Sequence, residues 1–342
     1  MRQHHNVLYI TTPGSYLCQH DQAVEIRRDG QPHLRVPRHH LNAIVCLGPT
    51  TVSPPLMQSC AEDGIGVVFC TEQGRFLARV VGPQDGNVLL RRAQYRASDD
   101  PARKLAIAKA MVTGKIHNCR TLLRRWAREH PDAEGTGIIT SAAEALSNLL
   151  TALPAVTDLD ALRGHEGFAA KTYFAVFPHL LRGDPAFGWT GRSHRPPMDP
   201  TNAVLSFLYS VLASECGSAA QGVGLDPQVG FLHVEKPGRP ALSLDLMEEF
   251  RPLLADRLLI TLVNRRQLSA SHVERQETGA YLLTDAGRRL VLTAWHERKR
   301  ETLTHPFLDE ETEWGLCPHL QARLLARHLR GDCDAYPPLL PD

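Results

Sequence analysis

The sequence predicts an α+β chain, with a β-sandwich-like domain over residues 1 to 83, a short join over 84 to 90, and a larger all-α domain over 91 to 342. Three observations predict it. Short apolar or β-branched runs separated by turn residues fill the first 83 positions. The stretch "GPQDGN", residues 82 to 87, gathers turn formers with no apolar side chain between them, which marks it as the linker. Beyond it, apolar residues recur at three- and four-residue spacing, the period of amphipathic helices.

In chain order, "NVLYITT", "QAVEIRR", "HLRVPR", "NAIVCLG", "IGVVFC" and "RFLARVV" read as strands, with "TPGS", "RDGQ" and "EQGR" as turns. One helix interrupts them. "SPPLMQSCAEDG" offers Ser53 as N-cap, prolines at its first positions and Gly64 as its stop. The run from Asp100 to His130 is helical, and further helices are expected at 140 to 153, 157 to 178, 200 to 216, 242 to 263, 285 to 302 and 316 to 330. "HPDAEGTG" (130 to 137) and "SECGSAAQGVGLDPQVG" (214 to 230) read as loops from their small and polar residues.

At 342 residues and 43% apolar, the chain can bury a substantial core. It contains no run of eighteen apolar residues and begins without a signal-peptide pattern, so a cytoplasmic protein with no membrane partner is expected. The eight cysteines are scattered with no C-x-x-C pair, which argues for reduced structural thiols over a zinc or redox motif. Net charge is only +1, but Arg91 to Arg128 holds eleven Lys or Arg against two Asp, a local +9. A second basic cluster lies at "WHERKRETL", preceded by Arg288 and Arg289. Such clusters are ordinarily solvated helix faces; beside a metal site they suit a phosphate backbone.

Three places set ionisable residues among apolar ones. Glu166 shares a helix face with Ala169, Ala170, Tyr173 and Phe177; its plainer reading is an acid favouring the positive end of the helix dipole. His233 ends the apolar run "GFL", where a core histidine is the plainer reading. Asp245 and Glu248 stand three apart, on one helix face, beside Leu246, Phe250, Leu253 and Leu254. Like charges there repel unless a cation lies between them, and an unpaired buried carboxylate is costly. One carboxylate from each of two helices with one imidazole makes a partial shell for Mg²⁺ or Mn²⁺, the imidazole suiting Mn²⁺ somewhat better.

The stretches "GHEGFAAKTYF" (164 to 174), "GRSHRPPMDPTNAVLSFLYSVL" (191 to 212), "GLDPQVGFLH" (224 to 233) and "LSLDLMEEFRP" (242 to 252) appear in an order and spacing that resembles the Cas-one family, the integrase and endonuclease subunit of CRISPR spacer acquisition. "LYITTPGSYL" is similar to the subgroup associated with type I-C systems. The resemblance implies a β-sandwich-like N-terminal domain that dimerises, a helical catalytic domain, and a divalent ion held by Glu166, His233 and Glu248, with Asp245 in support. It also implies a small dimeric Cas partner, and double-stranded DNA, as prespacer fragment and CRISPR repeat, for substrate. Glu249 is expected to be a bystander. Arg192 and Arg195 would offer bidentate donors to phosphate, Asp199 would cap the helix carrying Asn202, Ser206 and Tyr209, and Lys115 and Arg120 would touch the DNA backbone. For Asp199 the plainer reading is a cap alone, and for Tyr209 a core position.

The expected reaction is metal-dependent transesterification, a 3′-hydroxyl attacking a repeat phosphodiester; water in place of the hydroxyl gives cleavage from the same site. The alternatives are a stand-alone nuclease or junction-resolving enzyme, and a DNA-binding module without catalysis.

Overall fold

The computed structural model describes residues 6–74, 76–82, 88–189, 191–193 and 196–341. Two compact units divide it, Met1–Gly86 and Asn87–Asp342. Arg195, most of the anticipated join, and its neighbours in "GPQDGN" lie outside the described residues.

The first unit is built from two four-stranded sheets. One runs β1 (Asn6–Ile10), β5 (Leu41–Leu47), β7 (Gly66–Cys70) and β8 (Phe76–Val80), with only the β7–β8 pair antiparallel. The other runs β4 (Gln31–Pro37), β3 (Ala23–Arg28), β2 (Ser15–His20) and β6 (Thr50–Val52), in which β2 and β6 are parallel. Helix α1 (Pro54–Glu62) joins Leu56 and Cys60 to a core of Leu17, Val24, Ile44 and Val67 contributed by both sheets. Strands β2 and β6 go beyond the six sequence-predicted runs. "SYLCQH" mixes polar residues into its alternation, and three residues are too few for any period to show.

The second unit contains α2 (Val88–Asp99), α3 (Pro101–Glu129), α4 (Thr136–Ala152), α5 (Leu159–Leu180), α6 (Pro200–Gly222), α7 (Ala241–Phe250), α8 (Arg257–Asn264), α9 (Asp285–Arg300) and α10 (Cys317–Arg330). Asp100, Asp158 and Asp199 cap α3, α5 and α6 by accepting backbone N–H bonds in the first turn. α7 packs against both α3 and α6, so the middle of the 29-residue α3 faces the acids of α7. By length and mean hydropathy α4 and α6 could each cross a bilayer, but α6 is the buried centre of this unit and α4 packs on α3 and α5.

Three sequence expectations change here. The segment from 214 to 222 is helix, not loop: α6 runs on through buried Cys216, Ala219 and Ala220, and Gly217 sits so close to α7 that a Cβ there would lie 2.9 Å from Ser243 Oγ. Small residues read as a loop in sequence are here the contact surface between two helices. The predicted helix from 242 to 263 is interrupted by a π-helical turn, Arg251–Asp256, because Pro252 has no N–H to give and its ring crowds the carbonyl one turn back. Two small hairpins, β9 (Val273–Arg275) with β10 (Tyr281–Leu283) and β11 (Thr302–His305) with β12 (Glu310–Glu313), interrupt the helical domain.

All eight thiols are free, and six are buried. Burial pushes Cys46 and Cys317 up to about 12 and Cys60 and Cys70 up to about 11. Alkylation of the native protein at mildly alkaline pH is therefore expected to mark Cys18 and Cys333 alone, with the other six reacting only after unfolding; early labelling of Cys46 or Cys317 in a peptide map would contradict this packing.

Candidate functional site

Glu166, Lys115, Glu248 and His233 meet where α3, α5 and α7 approach the loop from 224 to 233. Glu166 stands two turns inside α5, which begins at Leu159, so the first-turn dipole reading does not apply to it. The Lys115 ammonium lies between two carboxylates, in contact with Glu166 Oε1 and 2.7 Å from Glu248 Oε2. On the other side of Glu248, Oε1 is 3.2 Å from Arg251 Nη1 and 3.9 Å from His233 Nε2.

Lys115 was expected on the DNA-facing surface, but it is only 6% exposed. The reason is its position on α3: the basic residues Arg103, Arg124, Arg125 and Arg128 of that helix turn outward, while Lys115 falls on the inner stripe with Met111, Ile116 and Cys119. Burial works against its charge, yet Glu248 and Glu166 hold its proton above the ordinary lysine value. Burial likewise opposes ionisation of Glu248, and Arg251, Lys115 and His233 overcome it, bringing the carboxyl down to about 2. Two carboxylates, one ammonium and one guanidinium thus form a charge-balanced cluster, with Lys115 and Glu248 buried and Glu166 and Arg251 half-buried.

Asp245 points the other way and never reaches that cluster. Its Oδ2 accepts from the backbone N–H of Phe231 (2.6 Å) and Leu232 (3.0 Å); its Oδ1 accepts from the N–H of His233 (2.9 Å) and lies 2.7 Å from His233 Nδ1. The ring is thereby oriented through Nδ1, with Nε2 on the side of Glu248. Gly230 makes this possible, since a Cβ at that position would lie 2.6 Å from Asp245 Oδ2. Gln94 of α2 secures the start of the same loop, donating to the carbonyls of Asp226 and Val229 and accepting from the Asp226 N–H, each at 2.8 Å. Arg163 of α5 donates to the Leu232 carbonyl at 3.0 Å.

Arg192, Asn202 and Tyr209 are brought together beside the cluster, as an internal network. The Asn202 side chain is wholly buried, accepts from Arg192 Nη1 (2.7 Å) and donates to Asp199 (2.6 Å) and the Gly191 carbonyl (2.7 Å). Tyr209 donates to Asp256 at 2.7 Å, Tyr173 donates to the same carboxylate at 2.9 Å, and Arg251 and Arg192 both lie over the Tyr209 ring. Burial raises the Asp256 carboxyl to about 6 against these donors. Arg120 is half-buried on α3, and burial with the nearby Arg124 lowers its pKa.

Sequence reasoning assigned no role to Arg251, Asp256, Tyr173 or Gln94. Arg251 had a signal, being three residues beyond Glu248 on one helix face. Gln94 had none, because its partners are more than 130 residues away.

Glu249, expected to be a bystander, is wholly buried and binds the C-terminal segment: it accepts from Tyr336 (2.6 Å), Gln321 (3.0 Å) and the Leu339 N–H (2.7 Å). Burial outweighs these donors and raises its carboxyl from 4.5 to about 7. The folded chain therefore keeps a proton that the unfolded chain releases, so stability that is full below pH 4.5 is lost as pH rises through 7, by on the order of 3 kcal/mol. Denaturant titrations from pH 5 to pH 8 are expected to show this decline in the native chain and a flatter profile in Glu249→Gln; equal slopes would remove Glu249 as its source.

Among the described residues no three His, Cys, Asp or Glu side chains stand close enough to share an ion as they are placed. Lys115 occupies the point between Glu166 and Glu248. The donors themselves suit a hard or borderline divalent cation: two carboxylates, and an imidazole whose other nitrogen is already fixed. A cation is held between those carboxylates in the structure, and it is the ammonium.

The family "CRISPR associated protein Cas1" matches residues 8–297. A Rhodospirillum rubrum protein described as CRISPR-associated endonuclease Cas1 2 is 51% identical, covering 97% of each chain, and one from Chlorobaculum tepidum, CRISPR-associated endonuclease Cas1 1, is 45% identical over 99% of each. Among solved structures, a Cas1 protein from Thermotoga maritima superposes with a TM-score of 0.82 at 21% identity, covering 95% of this chain and 97% of that one. A casposase bound to integration product superposes with a TM-score of 0.83 at 21% identity, covering 96% and 92%. At such identities these two structures establish the shared fold.

Proposed function

Because the chain belongs to the Cas1 family of CRISPR-associated proteins, we propose that it is a divalent-metal-dependent DNA endonuclease and integrase that joins a fragment's 3′-hydroxyl to a repeat phosphodiester during spacer acquisition. The observation that carries this reading is that Glu166 and Glu248 share one buried cation, with His233 Nε2 3.9 Å from Glu248 Oε1. Those three residues would hold Mg²⁺ or Mn²⁺, and an ion there would polarise the scissile phosphate and offset charge on its oxygens.

The chain's own groups supply the rest. Asp245 holds the His233 ring by its Nδ1 and so orients Nε2 toward the cluster. Arg251, anchored by Glu248 and the Tyr209 ring, presents a fixed guanidinium fork to phosphate oxygens. Lys115 gives up its place between the carboxylates and becomes a second cationic donor to the phosphate. Cleavage and joining then differ only in whether water or a 3′-hydroxyl is held in line. Relatives described as endonucleases support the first reaction, and the shared fold with a casposase on its integration product supports the second. A small Cas partner is part of the same proposal, supported by the fold shared with a chain of a Cas6-RT-Cas1–Cas2 complex (TM-score 0.82, covering 36% of that chain), and a homodimer is proposed from the family resemblance alone.

Metal binding at this site can be tested without activity. Lys115→Gln leaves Glu166 and Glu248 facing each other with one cation fewer, so the metal-free variant is expected to melt below wild type and to gain more from Mn²⁺ than wild type does. No Mn²⁺-dependent shift in either protein would sink the metal assignment. DNA fragments with free or blocked 3′ ends then separate the reactions, since joining to a repeat duplex requires the free hydroxyl and cleavage does not.

A further inference from the structure

A second concave place lies between α8 and the later turns of α9, lined by none of the residues of the Glu166 cluster. It is a cavity of about 320 Å³ whose walls include Arg257, Thr261, Arg265, Glu297, Arg298 and Glu301. Arg257 follows Asp256 at the end of the π-helical turn. The two neighbours serve different places: Asp256 is buried against Tyr173 and Tyr209, and Arg257 is half-buried in the cavity wall.

The cavity wall sets three arginines, Arg257, Arg265 and Arg298, against two acids, Glu297 and Glu301. Glu301 is taken by Arg298, and Glu129, the nearby acid of α3, lies 2.7 Å from Arg125. Among the described residues Arg257 has no hydrogen bond, ion pair or ring contact through its guanidinium. Arg298 is 7% exposed, stacks on Trp314 and donates to the Leu253 carbonyl, yet its Nε has no acceptor. Burial, then the like charges of Arg298 and Arg125, push Arg257 down to about 10. A guanidinium kept half-desolvated beside two others, without a partner, is costly to the fold unless an anion completes it. Arg125, whose charge reaches Arg257, stands with Arg124 and Arg128 on the exposed basic side of α3.

We propose that this cavity is an anion site that takes one backbone phosphate of bound DNA, apart from the phosphodiester that reacts, with Arg257 as its principal donor. A tetrahedral dianion or monoanion suits a planar guanidinium fork, and a duplex backbone running along the exposed face of α3 would bring a phosphate to Arg257. The proposal rests on the DNA reading given above.

The test uses the full chain and a fluorescein-labelled duplex, followed by anisotropy across a salt series, with melting temperature measured in parallel. Arg257→Gln is expected to weaken binding about tenfold, as for loss of one charge-assisted contact. It should also make the log–log salt dependence shallower by about 0.9, as for one phosphate no longer neutralised. Arg257→Lys keeps the charge and loses the fork, so it should recover the slope and only part of the affinity. Removing an unpartnered, crowded charge should leave the melting temperature unchanged or higher, whereas removing a structural arginine would lower it. Affinity and slope equal to wild type in Arg257→Gln overturn the site, as does lost affinity accompanied by a lowered melting temperature. A wild-type chain with no salt-dependent affinity for the duplex would overturn the DNA reading itself and this site with it.

Discussion

Glu248→Gln is expected to abolish both cleavage and joining of DNA at every concentration of Mg²⁺ or Mn²⁺, and also to destabilise the fold. Loss of activity follows from charge: the amide keeps the shape of the side chain but cannot balance a divalent ion with Glu166 and His233. Loss of stability comes from the cluster, because Glu248 is 2% exposed and neutralises both Lys115 and Arg251. Removing one partner of a buried ion pair typically costs about 3–5 kcal/mol, and the remaining amide oxygen should lower that here. On sequence alone a metal ligand would be expected to leave stability nearly untouched, and the structure reverses that for Glu248. Glu166, more exposed and paired with Lys115 alone, should lose activity as Glu166→Ala with a smaller drop in melting temperature. Single-turnover assays on DNA beside thermal melts check both. Wild-type joining by Glu248→Gln would remove it from the catalytic set.

Asp245→Asn should be nearly as damaging, for a different reason. Every hydrogen bond to Asp245 is a donation into the carboxylate, three from backbone N–H groups and one involving His233 Nδ1. An amide must point an NH₂ at one of those donors, leaving buried N–H groups unpaired at about 1–3 kcal/mol each. The loop from 230 to 233 then loses its form and His233 its orientation. Reasoning from the resemblance, Asp245 is a helper whose loss raised Mn²⁺ should partly recover. The geometry predicts instead that Mn²⁺ recovers little, because the defect lies in the loop that presents His233 and not in the affinity of intact donors. Strong Mn²⁺ rescue with an unaltered melting temperature would restore the helper reading.

Much of this was legible in the chain. Strands, turns and the change of period after residue 82 follow from local chemistry, because alternation and three-to-four spacing are imposed by which face is buried. The α6 extension and the π-helical turn were not legible, since a run of small residues means loop or close helix contact depending only on what packs against it. Lys115 shows the same limit in the site. In sequence it is one of eleven basic residues between Arg91 and Arg128, and nothing local separates it from the ten others. Glu249, next to Glu248, looks equally available and turns out to bind the C-terminal segment.

The sequence by itself determined which residue types were on hand: an acid in an otherwise apolar helix stripe, a histidine closing an apolar run, and two acids one turn apart. Those choices are fixed by covalent order and by helical period, and they carried the family resemblance as well. Only the tertiary structure decided which of them face one another. Glu166, Lys115, His233 and Glu248 come from segments separated by up to 133 positions. Their convergence depends on α7 lying against α3 and α6, and on Asp245 pulling the His233 loop inward. Burial is a property of that packing and not of any segment, so it alone could set one lysine of a basic helix between two carboxylates and leave its neighbours in solvent.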